Sequence, residues 1–141
     1  MRRFINNRAR SFVTLMVTIA VATLVLRIAI ERIIKINIVQ NESNAQSTLK
    51  LISTALENYA KDHQGVFPSN FSDLTQKNPH YLGTDYIAES PVKGYNYNCS
   101  RLEPSGYSCS AMPVGCKLSG KIIYTVTTGG VFVSEECTKK E

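Results

Sequence analysis

The sequence predicts an α+β chain in which one long N-terminal helix packs against a small C-terminal antiparallel β-sheet. Three observations predict it. No Gly or Pro occurs from Met1 until Gly65. Apolar residues recur at steps of four and three through Ala45, Leu49, Ile52, Leu56 and Tyr59, the spacing of one helix face. Beyond Gly94 the period falls to two, as in Tyr95-Asn96-Tyr97-Asn98-Cys99, the spacing of a strand.

The chain opens with a basic leader, residues 1–11, holding Arg2, Arg3, Arg8 and Arg10 and no acidic residue. Phe12 to Ile30 follows as an apolar run of 19 residues, close to the ~20 needed to cross a bilayer core. Arg27 lies near one end of that run, where its stem can rest in lipid while the guanidinium reaches the headgroups. Leader arginines hold an N-terminus in the cytoplasm. The expected placement is therefore a single pass through a bacterial inner membrane, with the globular part periplasmic or extracellular. A cleaved secretory signal is the alternative. Its small-residue site, Ala20-Val21-Ala22, falls inside the apolar run and not after it, which favours retention as an anchor. The formal net charge is +5 and falls to +1 once the four leader arginines are set aside. The basic balance therefore reads as a topology signal, and no nucleic-acid partner is expected.

The helix is expected over residues 12–63, with a transmembrane part at 12–30 and an amphipathic part at 44–63. Leu51 and Ala55 are expected to widen the apolar stripe. Asn44, Ser47, Lys50, Ser53, Glu57 and Lys61 are expected on the opposite face. Gln64-Gly65 and Pro68 predict the stop. Fifty helical residues from Phe12 to Lys61 would run about 75 Å at 1.5 Å per residue. Less than half of that fits a bilayer, and a lone helix with an apolar stripe cannot bury itself, which points to assembly. Near the interface, Glu31 has ion-pair partners at i−4 (Arg27) and i+4 (Lys35).

Residues 64–141 are the globular part. A short helix at about residues 70–76, capped by Ser69, would bury Phe71 and Leu74 on one face. Pro79, Gly83, Pro91 and Gly94 mark 77–93 as loop. Tyr107 to Met112 reads as the hairpin partner of Tyr95 to Cys99. Ile122 to Thr128 and Val131-Phe132-Val133 read as a second hairpin across Gly129-Gly130, whose tight turn would pair Val126 with Val133 and Ile122 with Cys137. Three or four strands should cover the helix stripe. Cys99, Cys109, Cys116 and Cys137 are an even set in an exported small domain and imply two disulfides. Three connectivities are possible. Cys99–Cys109 with Cys116–Cys137 would close each hairpin on itself. A four-thiolate zinc site is disfavoured because no C-x-x-C pair occurs.

No catalytic constellation is expected. His63 and His80 are the only histidines, and neither has a patterned partner. G-x-S-x-G, H-E-x-x-H, phosphate-loop and dinucleotide motifs are all absent from the sequence. No cofactor, metal or enzymatic role is predicted.

Several segments carry a family resemblance. Leu15-Met16-Val17-Thr18-Ile19-Ala20-Val21, Asn44-Ala45-Gln46-Ser47-Thr48-Leu49, Leu56-Glu57-Asn58-Tyr59 and Asp62-His63-Gln64-Gly65-Val66-Phe67-Pro68 make up the helix and the turn after it. Gly94-Tyr95-Asn96-Tyr97 and Tyr124 to Val131 make up the sheet. Together they resemble the type IV pilin-like family, above all the protein G-like pseudopilins of type II secretion. The resemblance implies a structural subunit that supports protein export. It implies cleavage and methylation by a prepilin peptidase and assembly of the helices into a filament with copies of itself or related subunits. A secretion platform and an ATPase would act indirectly. On that reading Ser11 and Phe12 flank the processing site, and Phe12, Leu15, Met16, Ile19, Leu26 and Glu31 serve assembly. Ala45, Leu49, Ile52, Leu56 and Tyr59 pack helix on sheet. The sequence departs from the family pattern at processing. Ser11 stands where the family has Gly, and Met16 where it has Glu. An alignment starting at Arg10 puts Ala9 and Thr14 there instead. A pilus subunit for adhesion or DNA uptake, or a non-assembling signal-anchored binding domain, are the alternatives.

Overall fold

The computed structural model describes residues 7–76 and 78–138, without the side chains of residues 7–11. Arg2 and Arg3 of the leader, and the side chains of Arg8, Arg10 and Ser11, lie outside the described residues.

Helix α1 spans Asn7–Asp62, 56 residues. The described helix already includes residues 7–11, ahead of the expected Phe12, since Ala and Arg favour helix and nothing there breaks one. The chain divides into two units, one ending at Ile36 and the other covering Asn37–Glu141. In the first unit every described residue is helical. In the second, Ile38 is 5% exposed, the first buried residue among the described side chains of α1.

Four strands follow: β1 (Tyr95–Glu103), β2 (Gly106–Pro113), β3 (Ile122–Thr127) and β4 (Val131–Glu136). They form one sheet in the order β1-β2-β3-β4, each antiparallel to the next. Alternate residues of the first three strands face the helix. Tyr95, Tyr97, Tyr107, Cys109, Ala111, Tyr124 and Val126 are buried there against Ala45, Leu49, Ile52, Leu56 and Tyr59. Leu49, Ile52 and Leu56 are essentially inaccessible. Each contributes ~1.5–3 kcal/mol by leaving water.

The polar face differs from expectation. Ser53 is buried and Glu57 half-buried, whereas Leu51 remains 49% exposed. At 100° per residue, Ser53 and Glu57 stand about 80° and 120° from the stripe's centre on one side, and Leu51 about 120° away on the other. Cover reaches past Ser53 on the first side and stops between Ala55 and Leu51 on the second. Ala55 is buried as expected.

The helix ends in a Schellman-type cap. Gly65 N–H donates to Ala60 O at 2.7 Å, the bond that closes this motif. Gln64 sits at φ 59° and Gly65 at φ 88°. The left-handed C′ position thus falls on Gln64, one residue before the glycine.

Helix α2 covers Ser72–Gln76, so Ser69 is not its cap. The Asn70 and Phe71 carbonyls accept the first bonds, from Asp73 N–H (3.1 Å) and Leu74 N–H (3.0 Å). Phe71 and Leu74 are both buried. Described residues 78–93 contain no named helix or strand.

The β3–β4 register is one residue from that expected. Val126 pairs with Phe132, and Ile122 with Glu136. Thr128 leaves the ladder because β2 holds it. Its N–H donates to Tyr107 O at 3.1 Å, and its Oγ1 accepts the Tyr107 N–H at 2.8 Å. The loop therefore has three residues. Gly130 N–H closes it on Thr127 O at 3.0 Å, with Gly129 at φ 81°, as a type II turn requires at its third position. The β1–β2 loop is shorter than expected, two residues between Glu103 and Gly106.

Candidate functional site

The site that composition and exposure single out is the surface of α1 before the head begins. Phe12, Leu15, Met16, Ile19 and Leu26 are 55–61% exposed. An 18-residue window there has mean hydropathy 2.4 and none of it is buried. One helix among the described residues is therefore long and apolar enough to cross a membrane. Glu31, the remaining assembly candidate, lies 3.6 Å from Arg27 as an i,i+4 pair. The pair stands largely exposed, so it is worth little in water. Thr18 and Thr23 return their hydroxyls to the carbonyls of Leu15 (2.8 Å) and Ala20 (2.9 Å). That satisfies both hydroxyls within the helix and leaves the surface without a free donor at either position.

The second half of α1 is tied to the head at three levels. At its start Asn41 Nδ2 donates to Ser119 O at 2.9 Å, and Glu42 Oε1 accepts the Lys121 N–H at 2.8 Å. In the middle, Ser53 Oγ and Tyr107 OH lie 2.8 Å apart. The Tyr107 hydroxyl also donates to Glu57 Oε1 at 2.9 Å, and that oxygen accepts the Gly129 N–H at 2.8 Å. At its end His63 stacks on Tyr59 at 3.9 Å, with Nδ1 2.8 Å from Tyr59 O. Tyr81 OH donates to Asp62 Oδ2 at 2.8 Å. Sequence reasoning missed Asn41, Glu42, Ser53 and Glu57 as tethers. The available signal was a polar residue directly after each of Ile52 and Leu56, at the margin of the stripe.

Three tyrosines of the core, Tyr95, Tyr97 and Tyr107, stay protonated further into alkali than a free tyrosine. Burial pushes Tyr107 up to about 12, with the Glu57 carboxylate adding to the effect and the Ser53 bond opposing it. Burial raises Tyr97, and burial followed by the Glu42 charge raises Tyr95. Tyr95 OH donates to Ile122 O at 2.9 Å and packs against Gly120 so closely that any Cβ there would overlap it.

Cys99 is bonded to Cys109, its direct cross-strand partner. Cys116 is bonded to Cys137 across 21 residues.

No family model matches this chain, and no curated protein matches it. Among solved structures it is similar to a crystal structure of PilV, a non-core minor pilin of Neisseria meningitidis. That likeness has a TM-score of 0.46 at 17% identity, over 76% of this chain and 94% of that one.

Among the described residues no three His, Cys, Asp or Glu side chains converge as metal ligands. His80 is exposed, and His63 is committed to the helix end. The residues brought together are those of packing: the five stripe positions, the two cysteine pairs and the tethers at three levels of α1.

Proposed function

We propose that this chain is a membrane-anchored structural subunit that assembles through its N-terminal helix, as the pilin-like resemblance of its segments implies. The observation that carries the reading is the division of labour along α1. Its second half is buried by its own sheet. Its first half offers an apolar surface, with Phe12, Leu15, Met16, Ile19 and Leu26 all more than half exposed. Lipid and neighbouring helices are the surroundings that suit such a surface, and helices meet in membranes by packing and not by hydrophobic expulsion. Within this reading the narrower assignment is a pseudopilin of type II secretion, with the N-terminus cytoplasmic and the head on the far side.

Cysteine cross-linking in native membranes tests it. Single cysteines at Leu15, Ile19 or Leu26 should give a ladder of multimers. A strictly monomeric pattern at all three refutes assembly. N-terminal sequencing of the mature protein tests processing: a start at Phe12 supports peptidase cleavage, and a start at Met1 rejects it.

The departures at Ser11 and Met16 favour a second reading, a signal-anchored binding domain that never assembles. It predicts membrane localisation with no multimer at any cysteine position.

A further inference from the structure

The two edges of the sheet are finished differently. At β1 the free side is covered where the strand begins. Val92 and Tyr95 exchange both backbone bonds, at 2.9 and 3.0 Å, and Tyr97 N–H donates to Ser90 Oγ at 2.8 Å. The strand then breaks register between Cys99 and Arg101. A covering segment and a bulge are two devices that keep an edge from pairing. β4 has neither. Its six residues hold an unbroken register with β3 and contain no proline, and none of them is buried. Among the described residues no strand or bridge occupies its other side. Alternate N–H and C=O groups of β4 therefore point outward from the sheet, open to a further strand.

A groove runs beside this edge. Val126 is buried under α1 and pairs with Phe132, so Phe132 lies on the helix side of the sheet. It is nevertheless 42% exposed, because α1 does not reach over β4. Gln46, Lys50, Thr54 and Asn58 follow one another at steps of four along α1 and are all exposed, which makes them one row on the helix. With Phe132 they line three adjoining hollows of about 450, 260 and 280 Å³. The floor is aromatic and the wall carries amides, a hydroxyl and an ammonium. From Gln46 to Asn58 the row runs about 18 Å at 1.5 Å per residue. Six residues of extended chain, the length of β4, span about 20 Å. The groove has the length of one added strand.

Charge along β4 names the occupant. Val131, Phe132 and Val133 are apolar and exposed. Glu135 and Glu136 end the strand, are exposed, and have no ion-pair partner among the described residues. A second copy of this chain does not fit. Its β1 edge is covered. Its β4, laid antiparallel, would set Glu136 and Glu135 against Val131 and Phe132, and laid parallel would set glutamate beside glutamate. The complementary segment belongs to another protein and is apolar at one end and basic at the other.

We propose that β4 takes up an extended segment of a partner protein as a fifth, antiparallel strand. Its Lys or Arg side chains lie opposite Glu136 and Glu135, and its apolar side chains opposite Val133, Phe132 and Val131. The side chain opposite Phe132 fills the groove against the row from Gln46 to Asn58. This goes beyond the reading above and depends on neither anchoring nor assembly, since every residue involved belongs to the head.

The probe is a fluorescein-labelled hexapeptide, Lys-Lys-Thr-Val-Tyr-Val, titrated by anisotropy against the full-length protein in detergent micelles, with empty micelles as the blank. Glu-Glu-Thr-Val-Tyr-Val is the comparison. Two exposed ion pairs are together worth roughly two- to thirtyfold in affinity, so the lysine peptide should bind tighter by about that factor. Glu135→Lys with Glu136→Lys lies wholly on exposed positions and should invert the preference. Amide exchange read by NMR should slow at alternate residues of β4 when the lysine peptide is bound, and stay unchanged at β1. Binding without protection of β4 overturns the proposal, as does a preference that survives the double charge reversal or an absence of binding at millimolar peptide. Protection of β4 that grows with protein concentration alone also overturns it, because the edge would then belong to a second copy.

Discussion

The Glu57 carboxylate joins a strand to a turn: its Oε1 accepts the Tyr107 hydroxyl at 2.9 Å and the Gly129 N–H at 2.8 Å. Because Tyr107 OH also meets Ser53 Oγ at 2.8 Å, one helix turn grips both β2 and the β3–β4 loop. Tyr107→Phe removes the shared hydroxyl and strands the buried Ser53. A loss of about 1–3 kcal/mol in urea unfolding is expected. Coupling with Glu57→Ala should be well above additivity error, since the two share a bond. Additive effects would show that the contact carries no weight.

Alkaline pH should unfold the head from its tyrosines. Tyr107 rises from the ordinary 10 to about 12 through burial and the Glu57 charge. A folded pKa above the unfolded one favours the folded state while the group is protonated. The contribution is whole below pH 10 and is lost as pH climbs through about 12. Stability measured across that window should fall, and Tyr107→Phe should flatten the fall.

Gly120→Ala sets a methyl group against the Tyr95 ring and hydroxyl. Overpacking of this kind costs ~1–3 kcal/mol. The penalty should shrink when Tyr95→Phe removes the hydroxyl, though that change alone sacrifices the bond to Ile122 O. Thermal melts of the two singles and the double check it.

Gln64→Gly should stabilise the head by about 1 kcal/mol, because the cap demands left-handed backbone at a residue that carries a Cβ. A neutral or destabilising result would mean that the Gln64 side chain offsets that strain.

Replacing Cys116 and Cys137 by Ala opens a closure of 21 residues and should cost about 3 kcal/mol in the chain-entropy model. The Cys99–Cys109 closure spans 10 residues and should cost somewhat less. Equilibrium unfolding of each double variant orders them.

The helix stripe was legible because burial and a 3.6-residue period leave the same mark, and Ala45, Leu49, Ile52, Leu56 and Tyr59 all sit under the sheet. The hairpins were legible in outline from their alternation and glycines. The last register was not. It turns on Thr128 binding Tyr107, a bond across 21 residues that no local pattern records. Ser53 and Glu57 looked solvated because polarity marks a face as outward only where nothing wraps around it. Leu51 looked buried for the converse reason. The tethers at Asn41 and Glu42 span 78 and 79 positions, beyond any spacing argument.

The head's burial along the described part of α1 begins only at Ile38, so on the membrane-anchored reading a single helix answers to two solvents. Urea should report on the sheet-covered half, and detergent or lipid composition on the other, with little crosstalk. Insertion and head folding thus become separable thermodynamic events in one continuous element. A lesion in either can be diagnosed without disturbing the other.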